Sequence, residues 1–357
     1  MGLLKVNGVI ELDQFWPEQG SDGDTIRVQL DGPFLFQPYP NQPFQPTTAF
    51  DNAQMHGKPV LHQDHTTGAT GISTRLQGID APEMHYQPQP PQDLGAAVAA
   101  HRAEFHQYNK EYRQPYGETA TVKLAEWLLN TYGQQQLSCI VTTQVDTPND
   151  VFDVYGRFIG TIFIPDQNGN EEVLTDNGQA TIPATDVNRH CVQQGWAFPT
   201  FYSSMKEEEI TPLLQADKQA QEQNSGLWPL YQSQIGALDT SLLYDRPTHS
   251  HTPTYDPAQD TGAVIFPKLF RRLCTYTALA KAGIIDMTFK EYLQREREYC
   301  FLLSEFLEQG LTASTPHSLD EFIDDNENLT KHPYELVFQE KASSLRDKNT
   351  GQIIKNW

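Results

Sequence analysis

Apolar and polar residues alternate over 6–12 and again over 25–30, on either side of the turn-forming run Ser21-Asp22-Gly23-Asp24. A period of two with a polar turn between predicts a pair of strands. The next stretch, 31–71, is dense in Pro, Gln and His and carries no period. It is predicted to be irregular, and excursions beyond roughly 15 residues tend to be functional or mobile. A short strand over 73–78 follows and runs into Ile79-Asp80-Ala81-Pro82-Glu83. After a Pro/Gln patch at 87–92, the pattern predicts a helix over 94–113 and a second over 117–131. In the second, Val122, Ala125 and Leu129 share a helical face with Leu124 and Leu128 beside it. Strands return at 137–144 and 158–164, then a short helix within 185–198 ending at Gly195 and a charged helix over 207–226 ending at Gly226. Strands, helices, strands and helices in that order predict an α+β fold.

The run Pro247 to Pro257, PTHSHTPTYDP, is the best linker candidate, placed at 241–257. The 357 residues suggest two or three domains, and this linker divides them into 1–240 and 258–357. Apolar residues at helical spacing over 264–283 and 288–309 predict a small, mainly helical C-terminal domain. Thr288 with Glu291 and Ser318 with Glu321 are capping-box pairs that mark helix starts. No internal repeat is visible.

Composition narrows the class. With 38% hydrophobic and 11% aromatic residues the chain can bury a core, so wholesale disorder is excluded. No apolar run approaches the roughly 20 residues that span a bilayer. The start MGLLKVNGVIEL lacks a basic region followed by an apolar stretch, and Val6 stands where a myristoylation signal needs Ser or Thr. A cytoplasmic location is the expectation, with non-classical export left open. Cys139, Cys191, Cys274 and Cys300 are far apart and read as buried or idle thiols, with disulfides left open should the protein be exported. Net charge is −21, and residues 1–240 carry about −17 of it, 29 acidic against 12 basic side chains. That balance opposes non-specific nucleic-acid binding, which depends on basic contacts that release counterions.

Three short segments concentrate charge at predicted element ends. Asp22-Gly23-Asp24-Thr25 is, alone, an ordinary Asp/Gly turn. Arg75 lies in a strand that ends in Asp80 and Glu83, a pattern equally consistent with a surface ion pair. Asp153-Val154-Tyr155-Gly156-Arg157 precedes the strand at 158–164.

Together these segments resemble the thermonuclease, or staphylococcal-nuclease-like, family. Its D-G-D-T turn, R-L-x-x-x-D-x-P-E run, Y-G-R and Q-G-x-A appear in order at Asp22–Thr25, Arg75–Glu83, Tyr155–Arg157 and Gln194-Gly195-Trp196-Ala197. The resemblance covers roughly 5–232, with inserts at about 31–72 and 84–112, and leaves the C-terminal hundred residues outside. It implies a five-stranded OB-fold-type β-barrel with packed helices. It also implies metal-dependent hydrolysis of DNA or RNA phosphodiester bonds, with little sequence preference and 3′-phosphate products.

By the same resemblance, Asp24, Asp80 and the Ala81 carbonyl would bind Ca2+ or another divalent cation, with Asp22 in the outer shell. These are the oxygen donors a hard cation takes. Glu83 would position or deprotonate the attacking water. Arg75 and Arg157 would clamp the phosphate, since guanidinium forks match two phosphate oxygens and stay charged; the alternative is structural ion pairs with Asp80 and Asp153. Tyr155, Phe201 and Tyr202 match positions that pack around a nucleotide, where a ring stacks on any base; Phe201 reads equally as a core aromatic. Lys123, Lys206 and Arg102 read as solvated helix residues. His56, His62, His65, His249 and His251 lack the partners that define a zinc site. Two other functions stay open: a non-catalytic binding module of the same fold, and a nuclease that residues 258–357 dock onto a protein partner.

Overall fold

The computed structural model describes residues 1–14, 21–40, 42–63, 68–84, 86–176, 178, 180–238, 262–340 and 344–356. The predicted alternation builds a barrel from five strands: β1 (Gly2–Glu11), β2 (Thr25–Leu30), β3 (Thr70–Leu76), β4 (Gln136–Val145) and β5 (Phe158–Pro165). The order is β4-β1-β2-β3-β5. A parallel β3–β5 pair and an antiparallel β4–β5 pair close it. Leu4, Val6, Ile10, Ile26, Val28, Ile72, Leu76, Val141, Phe158 and Ile162 are buried within it. Because side chains alternate across a strand, the inward set Ile72, Thr74 and Leu76 turns Arg75 to the other face. The fold is thus α+β with an OB-fold-type barrel, as expected.

Helix α1 (Gly117–Tyr132) runs one residue past its expected end. Helix α2 (Val187–Gln193) starts where the Asp186 carboxylate accepts the Arg189 N–H at 2.9 Å; α3 (Glu207–Glu222) follows. The single helix expected over 94–113 is instead two short ones, Gly95–Ala100 and Arg102–Tyr108. Phe105 is the one buried residue of the pair, so no continuous apolar face sustains a longer helix. The aperiodic stretch 31–71 also holds short strands. Phe34–Gln37 pairs with β1, and Ala53–Met55 with Lys58–Pro59. Strands of two to four residues show too few alternations to be read from a pattern.

The expected linker at 241–257 lies outside the described residues, and after residue 261 come α4 (Pro267–Lys281), α5 (Phe289–Glu296) and α6 (Leu303–Gln309). Thr288 and Glu291 form their reciprocal capping bonds at 3.2 and 2.7 Å. Ser318 donates its N–H to Glu321 at 2.9 Å but opens only the 3-10 turn Leu319–Phe322. The helical stretch expected over 288–309 is interrupted. Arg297 adopts φ +48°, and the aromatic-rich strand Tyr299–Leu302 intervenes and pairs with Leu336–Phe338.

These C-terminal elements are woven into the first part. Leu336–Phe338 pairs in parallel with Phe201–Tyr202, and Ser344–Asp347 pairs with Ala53–Met55. One hydrophobic core runs through both parts, from Leu4 and Phe158 to Phe270 and Phe338. The inserts complete the contact. The Tyr86 and Thr275 hydroxyls lie 3.0 Å apart, Asp93 pairs with Arg295, and the Lys281 ammonium lies over the Tyr108 ring. No helix among the described residues is long and apolar enough to cross a membrane.

Candidate active site

The Asp22–Thr25 turn sits at the head of β2, where the Asp22 carboxylate accepts the N–H groups of Asp24 and Thr25 at 3.1 and 2.7 Å. Asp22 therefore caps the turn, and its burial beside Asp24 raises its carboxyl pKa. Gly23 allows the close approach to the next segment: a Cβ there would stand 2.7 Å from the Ala81 Cβ. Asp24, buried, accepts the Ala81 N–H at 2.9 Å and pairs with Arg75. The contact between Ala81 and Asp24 thus runs through the Ala81 N–H.

Arg75 reaches from β3 to both aspartates, its second amino group 2.8 Å from Asp80 Oδ1. Asp80 lies in the short strand Ile79–Asp80, paired with Phe198–Pro199, and is fully buried. Glu83 is fixed through its backbone: its N–H donates to the side-chain oxygen of buried Gln114 at 3.1 Å, and its carbonyl accepts the Gln114 backbone N–H at 2.6 Å. Across the barrel mouth, Gly156 takes φ +82° and turns the chain into β5. There Arg157 is gripped by Asp153 at 2.8 Å and donates to the Thr25 hydroxyl at 3.1 Å. That hydroxyl in turn donates to Asp24 at 3.2 Å, so both arginines converge on one acidic turn.

A third arginine completes the cluster, and no sequence motif marked it. Arg271 of α4 contacts Asp80 Oδ2 at 2.8 Å and Oδ1 at 3.1 Å, and pairs with Glu83. The available sequence signal was faint: an Arg-Arg pair in a helix whose neighbours are apolar. Burial alone would raise the Asp80 carboxyl; Arg271 and Arg75 reverse this and hold it at about 2. For Glu83, burial wins over Arg271 and raises the pKa.

The aromatic candidates separate. Tyr155 is 68% exposed beside the Arg157 guanidinium, open to a planar ligand. Phe201 is fully enclosed in the shared sheet, as a core aromatic is. Tyr202 is half-buried beside Phe338 and Lys268. Lys123 and Arg102 lie exposed on helices, and Lys206 precedes α3 near Glu208. His56 touches the Val154 carbonyl and His62 approaches Ser73, whereas His65, His249 and His251 lie outside the described residues.

Carboxylates and peptide oxygens suit a hard cation, yet a divalent ion does not fit this arrangement. Both oxygens of Asp80 are held by guanidinium groups, and Asp24 by Arg75 and the Ala81 N–H. Among the described residues no group of three His, Cys, Asp or Glu side chains could hold a metal. Ca2+ needs six to eight oxygens at about 2.3–2.6 Å, so it and the docked guanidiniums exclude one another.

Residues 73–229 match the family of staphylococcal nuclease homologues. The chain carries a staphylococcal-nuclease-like domain. The match includes Arg75, Asp80, Glu83 and Arg157 but begins after Asp22 and Asp24; the barrel sets Asp24 against Arg75 and the Ala81 N–H. A search of curated proteins found no match to the chain.

Proposed function

We propose that the protein hydrolyses phosphodiester bonds of DNA or RNA with little sequence preference, leaving 3′-phosphate ends. The observation that carries this reading is the convergence of Arg75, from strand β3, and Arg157, from the turn that leads into β5, on the Asp24–Thr25 turn beside Glu83. The two guanidiniums bind the phosphate and stabilise the charge that grows on it in the transition state. Glu83, with a raised pKa, accepts a proton as the oxygen of a water attacks phosphorus. The bond from phosphorus to the 5′-oxygen breaks, that oxygen leaves as a hydroxyl after taking up a proton from solvent, and the phosphate stays on the 3′-oxygen. Tyr155 offers a stacking surface for a base. The resemblance also implies Ca2+ at Asp24, Asp80 and the Ala81 carbonyl; with Arg271 docked both Asp80 oxygens are taken and that set is closed.

The same Arg271 contacts favour a second reading, a non-catalytic nucleic-acid-binding module whose acidic centre is locked by ion pairs. Incubation of the full chain with DNA and with RNA, in Ca2+ and in chelator, separates the two. Fragments with 3′-phosphate ends that disappear in Arg157→Ala support hydrolysis. Intact DNA and RNA under every condition would overturn it.

A further inference from the structure

We propose that Arg271 is the resident cation of this site, its guanidinium standing beside Asp80, Asp24 and Glu83 where a bound divalent metal would otherwise be needed. The inference rests on the nuclease-like reading for its purpose, but its physical basis is separate. Asp24, Asp80 and Glu83 bring three negative charges together, and Arg75 alone supplies one positive charge. Asp80 has no solvent exposure, and an uncompensated buried carboxylate is expensive. Arg75 reaches only one of its oxygens; Arg271 takes the other and shares the first, then spans to Glu83.

The arginine is held in place rather than resting on the surface. Helix α4 buries Leu269, Phe270, Leu273, Cys274, Ala278 and Leu279 in the common core. At its approach, Gln114, the residue that fixes Glu83, donates its side-chain N–H to the Ile265 carbonyl at 2.6 Å. One turn beyond Arg271, Thr275 meets Tyr86, and strand pairs tie the C-terminal segment to Phe201–Tyr202 and Ala53–Met55. Releasing Arg271 by undocking this segment means opening the core and two sheets, so the guanidinium is a fixed part of the site. A divalent ion gains Asp80 only by displacing it.

Calcium titration calorimetry on full-length wild type, Arg271→Gln and Arg271→Lys tests the inference without reference to catalysis. Wild type is expected to take up Ca2+ at least about tenfold more weakly than Arg271→Gln, and only the variant gains thermal stability with added Ca2+. Equal affinity in the two folded proteins overturns the inference. Should Arg271→Gln fail to fold, Arg271→Lys decides: one ammonium cannot grip both Asp80 oxygens, so its Ca2+ affinity must exceed that of wild type, and an unchanged affinity overturns the inference. Cleavage adds a second arm. Wild type is expected to cut nucleic acid in chelator while Arg271→Gln needs Ca2+; a wild type that cuts only with Ca2+ overturns the inference. The predicted affinity difference without cleavage by any form supports the resident cation and removes the hydrolase reading instead.

Discussion

Arg157 and Arg75 differ in what they leave behind when removed. Asp153, the partner of Arg157, keeps access to water and two backbone N–H donors. Arg157→Ala should therefore lower cleavage by about 100-fold or more while the melting temperature hardly moves. Arg75→Ala strips a partner from fully buried Asp80, and is expected to lower both the rate and the melting temperature. Parallel cleavage assays and thermal melts distinguish the pair. Asp217 on α3 gives a pH-dependent counterpart. It is buried in α3 with one oxygen bonded to Gln221 and the other unpartnered, and burial pushes its carboxyl up to about 7. The folded state thus holds a proton that the unfolded chain loses near pH 3.8. Its contribution is full below that pH and is lost as pH rises through about 7. Asp217→Asn should raise the melting temperature at pH 8 by several degrees, on the order expected for 1–2 kcal/mol, and change it little at pH 4.

At the scale of elements, the loop before β5 and helix α4 do the aiming. Gly156 holds a left-handed conformation, and a Cβ there would stand 3.2 Å from Met55 of the first insert. Gly156→Ala is expected to destabilise by about 1–2 kcal/mol and to reduce activity through misplacement of Arg157, measurable by denaturant melts with a cleavage assay. The first insert is more than a loop, because its strand Ala53–Met55 lies between Lys58–Pro59 and the C-terminal strand Ser344–Asp347. Phe270→Ala in α4 removes a fully buried ring and should cost about 3–5 kcal/mol.

For the whole molecule, the consequence is interdependence. A chain cut at residue 240 loses the strand partner of Phe201–Tyr202 and uncovers Phe198, which packs against Phe266. Residues 1–240 alone are expected to melt well below the full chain or to aggregate, as calorimetry and size-exclusion chromatography would register. A truncation at 240 thus tests the fold as well as any targeting role. The net charge of −21 bears on encounter with substrate. In the proposed function Arg75 and Arg157 make the phosphate contacts, so few counterions are released. The slope of log affinity against log salt should lie near that of about two phosphate contacts, and a slope of six or more would mean an unrecognised basic surface.

The sequence by itself determined the α+β order of elements, and its resemblance to a known family implied the barrel and the members of its acidic mouth. Alternation over 25–30 and 158–164 is local, and the ordered segments Asp22–Thr25, Arg75–Glu83 and Tyr155–Arg157 fall at strand ends that topology must bring together. Short strands such as Ala53–Met55 left no period to read, and the strand Tyr299–Leu302 was hidden by apolar residues that also suit a helix. Only the tertiary structure decided that Arg271 shares Asp80 with Arg75, across 191 residues of chain. An arginine in a helix carries no sequence mark of which buried carboxylate it will neutralise. That depends on how α4 packs, through a core and two sheets built from both ends of the chain.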